Sequence, residues 1–154
     1  MFASIASAMV FGAEGYPIHV EVQISKGLPG FKMVGRPDET TREARDRARA
    51  ALQSSGVDWP SANITVNLAP SSDRKSGSGL DLALAVGVLV ATETIPSEAV
   101  EGLAFVAELG LDGSLRPVAG VVPMVGVLGE LDVVVPVGSA VEAQVAALGR
   151  VRPI

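Results

Sequence analysis

The stretch Ser71-Ser72-Asp73-Arg74-Lys75-Ser76-Gly77-Ser78-Gly79 gathers hydroxyls, a lysine and two glycines just before an apolar run that begins at Leu80. A loop of this kind, running into a helix N-terminus, turns backbone N–H groups toward an anion. A serine in it becomes a nucleophile when a base lies within reach. The bases on offer are few: His19 is the only histidine, and Lys26, Lys32 and Lys75 are the only lysines. Nothing in the sequence places His19 beside the loop. The plainer reading is a capped helix start, with Ser76 or Ser78 as N-cap and the glycines serving tight geometry. The residues by themselves favour this plainer reading.

Other chemistries find less support. A P-loop needs Gly-Lys-Ser/Thr so that the lysine reaches the phosphates and the hydroxyl reaches magnesium. The only Lys-Ser pair is Lys75-Ser76, and Arg74 precedes it. The chain by itself is therefore not expected to bind ATP in that manner. Gly27 to Gly35 is glycine-rich but lacks the dinucleotide fingerprint, which leaves a structural turn. There is no cysteine, and no pair of acids stands at a ligand spacing beside His19. Neither a disulfide nor a metal site is expected, and a reducing cytoplasm is compatible.

Charge is unevenly spread. The 154 residues carry a net charge of −5, yet Lys26 to Lys75 holds nine basic residues against six acids. From Ser76 onward three arginines face nine acids. Within the basic stretch, Arg42, Arg45 and Arg49 recur at spacings of three and four, one ridge of a helix. A ridge of this kind contacts phosphates. The alternative is a solvated face with local ion pairs, for which Asp38–Arg42 and Glu43–Arg47 have the i,i+4 spacing. Lys32, Arg74 and Lys75 join the three ridge arginines as candidates for contact with DNA or a protein partner.

These residues need elements to hold them. Hydrophobic residues make up 48% and aromatics only 4%, so the core is mostly Val, Ala, Leu and Ile. Ile18, Val20, Val22 and Ile24 alternate with polar residues, the period of a half-buried strand. Ser4 to Phe11 reads as its hairpin partner across the turn Gly12 to Pro17. Phe31 to Val34 is a short third strand, and Ile64, Val66 and Leu68 mark a fourth. Pro37 and Asp38 open a helix whose apolar stripe is Ala44, Ala48, Ala51 and Leu52, closed by Gly56. A second helix spans Gly79 to Ala91. Leu103 to Leu109 and Ser114 to Pro117 form a hairpin around Asp112-Gly113. A helix over Val121 to Leu128, a strand over Val133 to Val135, and a helix from Ser139 to Leu148 ending at Gly149 complete the pass, with a last strand at Val151. The order implies an α+β fold of mixed α/β layers. No signal peptide and no membrane span are read from the sequence.

Seven segments occur in a specific order: Tyr16-Pro17, Val20-Glu21-Val22, Ser25-Lys26-Gly27-Leu28-Pro29-Gly30-Phe31, Val34-Gly35-Arg36-Pro37-Asp38, Arg49-Ala50-Ala51-Leu52, Ile64-Thr65-Val66-Asn67-Leu68-Ala69-Pro70 and Gly77-Ser78-Gly79-Leu80-Asp81-Leu82. Together they resemble the N-terminal domain of the YifB/ComM family, the Mg-chelatase-like AAA+ ATPases, over essentially the whole chain. Gly27, Leu28, Pro29, Gly30, Phe31, Gly77, Gly79 and Asp81 belong to the family motif in a structural role. The resemblance implies a ribosomal protein S5 domain 2-like fold, as in the proteolytic domain of Lon. Lon-type enzymes pair a serine at a helix start with a lysine from a later helix. Their serine position falls here at Gly79, or at Ser78 if the loop is shifted by one. Their lysine follows a stretch that reads Leu115-Arg116-Pro117-Val118-Ala119-Gly120-Val121 in this chain, and the next residue is Val122. Valine is no base, so the dyad is absent. Asp73 and Ser76 stand where the family has leucine and glutamate.

The resemblance further implies that residues 1–154 form one Lon-like domain preceding a P-loop ATPase module. ATP and Mg would bind in that module and none in this domain. Neighbouring subunits of a ring, a hexamer in the full-length protein, would be partners, with DNA a possible further one and no membrane. The family's ComM is similar to a DNA branch-migration helicase used in natural transformation. The expectation is a non-catalytic domain of a DNA-processing ATPase, serving ring assembly, DNA engagement or both. The rivals are a Lon-like serine peptidase with an atypical base and a pure oligomerisation scaffold.

Overall fold

The computed structural model describes residues 1–147 and 151–154. Two long strands, β1 (Phe2–Phe11) and β2 (Glu14–Ser25), form the hairpin, paired from Phe2↔Gln23 to Phe11↔Glu14. The turn is shorter than the sequence suggests, because the residues from Glu14 to Pro17 already continue the ladder opposite β1. A third strand, β3 (Gly30–Val34), lies parallel to β4 (Asn63–Ala69), which pairs antiparallel with β2. On the other side of β1 come β5 (Leu103–Phe105), β8 (Asp132–Val135) and β9 (Val151–Pro153), all parallel. The sheet order is β3-β4-β2-β1-β5-β8-β9. Four of the six pairings are parallel, so the α+β expectation holds as a mixed sheet with helices on it.

One sequence expectation is corrected here. Leu103 to Leu109 is not one arm of a hairpin. Its first half is β5 in the main sheet, while Glu108–Leu109 (β6) pairs with Leu115–Arg116 (β7) in a separate two-stranded ribbon. The Asp112-Gly113 turn is present, with Asp112 Oδ1 accepting from the Ser114 N–H at 3.0 Å. Between the two strands, Ala107 N–H donates to Gly79 O and Val106 N–H to Val134 O, which bends the chain from one layer to the other.

The helices follow their apolar patterns. The predicted helix after Pro37 is split into α1 (Glu39–Arg42) and α2 (Ala44–Ser54). Asp38 caps α1, its carboxylate accepting from Thr41 N–H at 2.8 Å. Ala44, Ala48, Ala51 and Leu52 of α2 are buried as their spacing requires. The helix α3 (Asp81–Ala91) is apolar all round and enclosed between α2 and the sheet. Its Gly87 allows the approach: a Cβ there would lie 2.7 Å from Val22 Cγ2. The helices α4 (Val121–Gly126) and α5 (Ala140–Ala147) belong to a second core with Ala8, Ala104, Val106, Val133 and Val135. The predicted stop at Gly149 lies outside the described residues.

Strand β1 joins the two cores. Ala3, Ile5 and Met9 enter the first, while Ala8 enters the second and Ala6 and Val10 pack against it, as the period of two requires. Among the described residues, no helix is long and apolar enough to cross a membrane.

Candidate functional site

The loop between β4 and α3 is held from every side. The Lys75 N–H donates to Arg36 O at 2.9 Å, and Lys75 O accepts from Asp38 N–H at 2.8 Å, a parallel bridge to the segment that enters α1. The Lys75 ammonium is turned inward and fully enclosed. It donates to Gly35 O at 2.7 Å, to Pro70 O at 2.5 Å and to Asp73 O. Three acceptors match its three protons. Burial lowers the Lys75 ammonium below the ordinary lysine range; Asp73 partly opposes this and Arg36 adds to it. Gly35, which supplies one carbonyl, has φ +101°, and a Cβ there would meet Leu68 O at 2.4 Å, so only glycine fits.

Further along the loop, Thr41 Oγ1 donates to Gly77 O at 3.0 Å. Ser78 Oγ donates to Glu108 Oε2 at 2.8 Å, and Ser78 O accepts from Asp81 N–H. Ser78 is thus not the side-chain N-cap expected for the helix: its hydroxyl faces β6, and Leu80 occupies the cap position without a side-chain bond. Gly79 lies against α4, where a Cβ would be 3.5 Å from Met124 Cε and 3.6 Å from Val118 Cγ2. The loop and the Pro117–Met124 segment therefore face each other across a cleft of about 340 Å³ that also exposes Glu108. Val122 is the second residue of α4, is partly exposed, and does not line that cleft.

Asp81 sits at the first position of α3 with no solvent exposure. Arg47 of α2 grips it through Nε–Oδ2 at 2.5 Å and Nη2–Oδ1 at 3.0 Å, and Leu109 N–H adds a third bond at 3.1 Å. Burial raises the Asp81 carboxyl; the Arg47 and Leu109 hydrogen bonds oppose it. The reciprocal effect holds the Arg47 guanidinium above its ordinary value. Helical spacing alone points Arg47 to Glu43. That pair exists at 3.6 Å but is secondary. A signal was available: an aspartate at the head of an otherwise apolar helix needs a cationic partner.

The six candidate contact residues divide. Lys32, Arg42, Arg45, Arg49 and Arg74 are all exposed, and the structure brings Arg42, Arg45 and Arg49 to the outer face of α1 and α2. Lys75 is a correction: buried and saturated by carbonyls, it offers no charge to a phosphate. The Asp38–Arg42 pair expected from spacing does not form, because Asp38 is committed to its cap. Arg45 pairs with Asp46 at 3.1 Å and stacks its guanidinium 5.6 Å from the Phe31 ring centre. His19 points to solvent from β2, as its alternation predicts. Among the described residues no cluster of three potential metal ligands occurs.

Sequence comparison sets this geometry in a family. Residues 20–138 match the family described as subunit ChlI of Mg-chelatase. The chain is 46% identical over 111 residues to the protein YifB of Escherichia coli, covering 72% of this chain and 22% of that protein. It is 41% identical over 123 residues to the competence protein ComM of Haemophilus influenzae, covering 80% of this chain and 24% of that protein. A Mycobacterium tuberculosis protein is 44% identical over 119 residues, covering 77% and 24%. The chain thus spans about a quarter of the length of these curated relatives. It belongs to the Mg-chelatase-like family that includes YifB and ComM.

Proposed function

We propose that this chain is a non-catalytic domain of a Mg-chelatase-like AAA+ ATPase of DNA processing, and that it engages DNA through the arginine face of α1 and α2. The observation that carries the reading is the division of labour among four arginines. Arg47 is turned into Asp81, whereas Arg42, Arg45 and Arg49 stand in solvent. Arg42 and Arg49 have no hydrogen-bond or ion-pair partner among the described residues. Two unneutralised guanidiniums, with Arg45 between them paired only to the exposed Asp46, suit phosphates along a strand. The relative ComM is named a competence protein, which accords with a DNA role.

The loop supports the non-catalytic half of the proposal. Its lysine holds carbonyls, its aspartate holds Arg47, and Val122, which the resemblance aligns with a Lon-type base, has no basic group and does not line the cleft. A mixed sheet with a serine-bearing loop entering α3, and α4 packed beside that loop, accords with the S5 domain 2-like architecture of Lon. ATP and Mg would belong to a separate ATPase module, and ring neighbours, in a hexamer, would be its partners.

One observation favours the peptidase rival: the 2.8 Å bond from Ser78 Oγ to Glu108. A carboxylate, however, is a far weaker base than the imidazole or neutral amine that activates a serine. The test of the main reading is a salt titration of DNA binding by fluorescence anisotropy. Affinity should fall as salt rises, and the triple variant R42E/R45E/R49E should bind far more weakly with a shallower salt slope. No binding at low salt would remove DNA engagement and leave the oligomerisation scaffold, which sizing of the chain would then reveal.

A further inference from the structure

A second feature of this face went unmarked in the sequence. The chain has six Phe, Tyr and Trp rings, and two of them, Phe31 and Trp59, meet at the margin of the first core, packed against it and partly exposed. Phe31 is the second residue of the edge strand β3, and Trp59 lies in the loop between α2 and β4. Their centroids are 6.2 Å apart at 39°, a normal tilted pair. Both rings are only partly buried. With Pro29, Arg45, Arg49 and Pro60 they bound a groove of about 290 Å³. No carboxylate lines it, although Asp58 is next to Trp59 in sequence.

We propose that this groove seats one nucleotide of a single-stranded nucleic acid, its base stacked on the Phe31–Trp59 pair and its phosphate held by Arg49 and Arg45. The chemistry selects the ligand class. The groove's lining holds two guanidiniums and no acid, Arg45 being paired only with Asp46 outside it, and asks for an anion; the part-exposed rings, Trp59 above all, ask for a flat π-system, and a nucleotide combines both. The volume lies near the lower end of ligand-sized cavities, which fits one unit of a chain and excludes a duplex. Duplex bases are already stacked, so their faces are not available to a recessed ring. Arg45 is preoriented, since it already lies against Phe31. Arg49, one turn further along α2, has no competing partner among the described residues.

The proposal deepens the reading of this face as a DNA surface and rests on it. Trp59 is the only tryptophan, so its fluorescence reports on the groove alone. The experiment titrates the chain at low salt with oligo(dT), with an abasic strand of equal phosphate count and with polyglutamate, following Trp59 emission and anisotropy together. Oligo(dT) should quench Trp59 and bind about tenfold more tightly than the abasic strand, the scale of one stacked base. Trp59→Ser should remove most of that advantage, while Trp59→Phe, which keeps the stack, should retain it; Arg49→Gln should weaken oligo(dT) and the abasic strand alike, as loss of a phosphate contact requires. Thermal melting of each variant separates these effects from unfolding, and Arg49 is exposed enough to be replaced without disturbing the core. Equal affinity for the abasic strand, or equal quenching by polyglutamate, would overturn the groove assignment and leave DNA engagement by the arginine face intact. Absence of binding to any strand would overturn both.

Discussion

Arg47 closes on Asp81 with two hydrogen bonds across the α2–α3 contact, and the carboxylate it holds has no access to water. The same guanidinium donates to Thr40 O at 2.8 Å, so one side chain ties α1, α2 and α3 together, and through Asp81 and the Leu109 N–H it also reaches β6. The pair is thus a crosspiece of the first core. Replacing Arg47 by methionine would leave a buried carboxylate with only the Leu109 N–H, a loss of about 3–5 kcal/mol. Urea denaturation should show it as a lower midpoint at unchanged slope. The double variant R47M/D81L should recover part of the loss, because an apolar pair removes the unpaired charge. A single variant as stable as the parent would contradict the structural role.

Lys75 makes a parallel case with a different partner set. Lys75→Met would leave Gly35 O, Pro70 O and Asp73 O without their shared donor, at about 1–3 kcal/mol for each carbonyl that water does not reach. DNA binding by the well-folded fraction should be unchanged, since the ammonium never reaches the surface. A specific loss of DNA affinity without loss of stability would instead return Lys75 to the contact set.

The pH dependence of that variant carries a sign. The folded-state value of Lys75 lies below the ordinary 10.5, so between the two the unfolded chain binds the additional proton. Stability contributed by Lys75 therefore rises as pH rises through that alkaline window. The stability gap between the parent and K75M should widen from neutral pH toward that window. A gap that narrows would mean that the ammonium is favoured, not disfavoured, by its enclosure.

How far the sequence carried these assignments differs by residue. Asp38 as a cap and the Ala44–Ala48–Ala51 stripe followed from local rules, since capping and periodicity act within one helix. Lys75 did not. In the sequence it is one cation in a polar loop; only the meeting of residues 35–38 with residues 70–79 encloses it. The larger partner of Arg47 is hidden for the same reason: Glu43, which it does pair with, is near in sequence, whereas Asp81 lies 34 positions away. Phe31 and Trp59 were invisible as a pair because β3 and the α2–β4 loop come together through the parallel β3–β4 pairing. A lone tryptophan between Asp58 and Pro60, outside any apolar stripe, was the signal available.

Ser78 tests the reading of the cleft. Ser78→Ala, alone or with Ser76→Ala, removes the Glu108 bond and is expected to cost about 1 kcal/mol. Neither variant should change DNA binding, and neither the parent nor the variants should cleave an unfolded protein substrate. Proteolysis by the parent that vanishes in S78A would establish the peptidase rival, with Glu108 as the group to test next.

Gly87 poses the last question, because two effects oppose each other there. Alanine in place of a helical glycine favours the helix by up to about 1 kcal/mol. Here, however, the added Cβ would meet Val22 Cγ2 at 2.7 Å and Ile5 Cγ1 at 3.5 Å. Val22 has no solvent exposure and belongs to the paired β2–β4 ladder, so it has no room to withdraw. Overpacking of this kind costs about 1–3 kcal/mol, and it should win. Gly87→Ala is therefore expected to lower the melting temperature, and Val22→Ala combined with it should restore much of the loss by opening the needed volume. If Gly87→Ala alone raised the melting temperature, the contact between α3 and β2 would be looser than the structure has it, and propensity would decide.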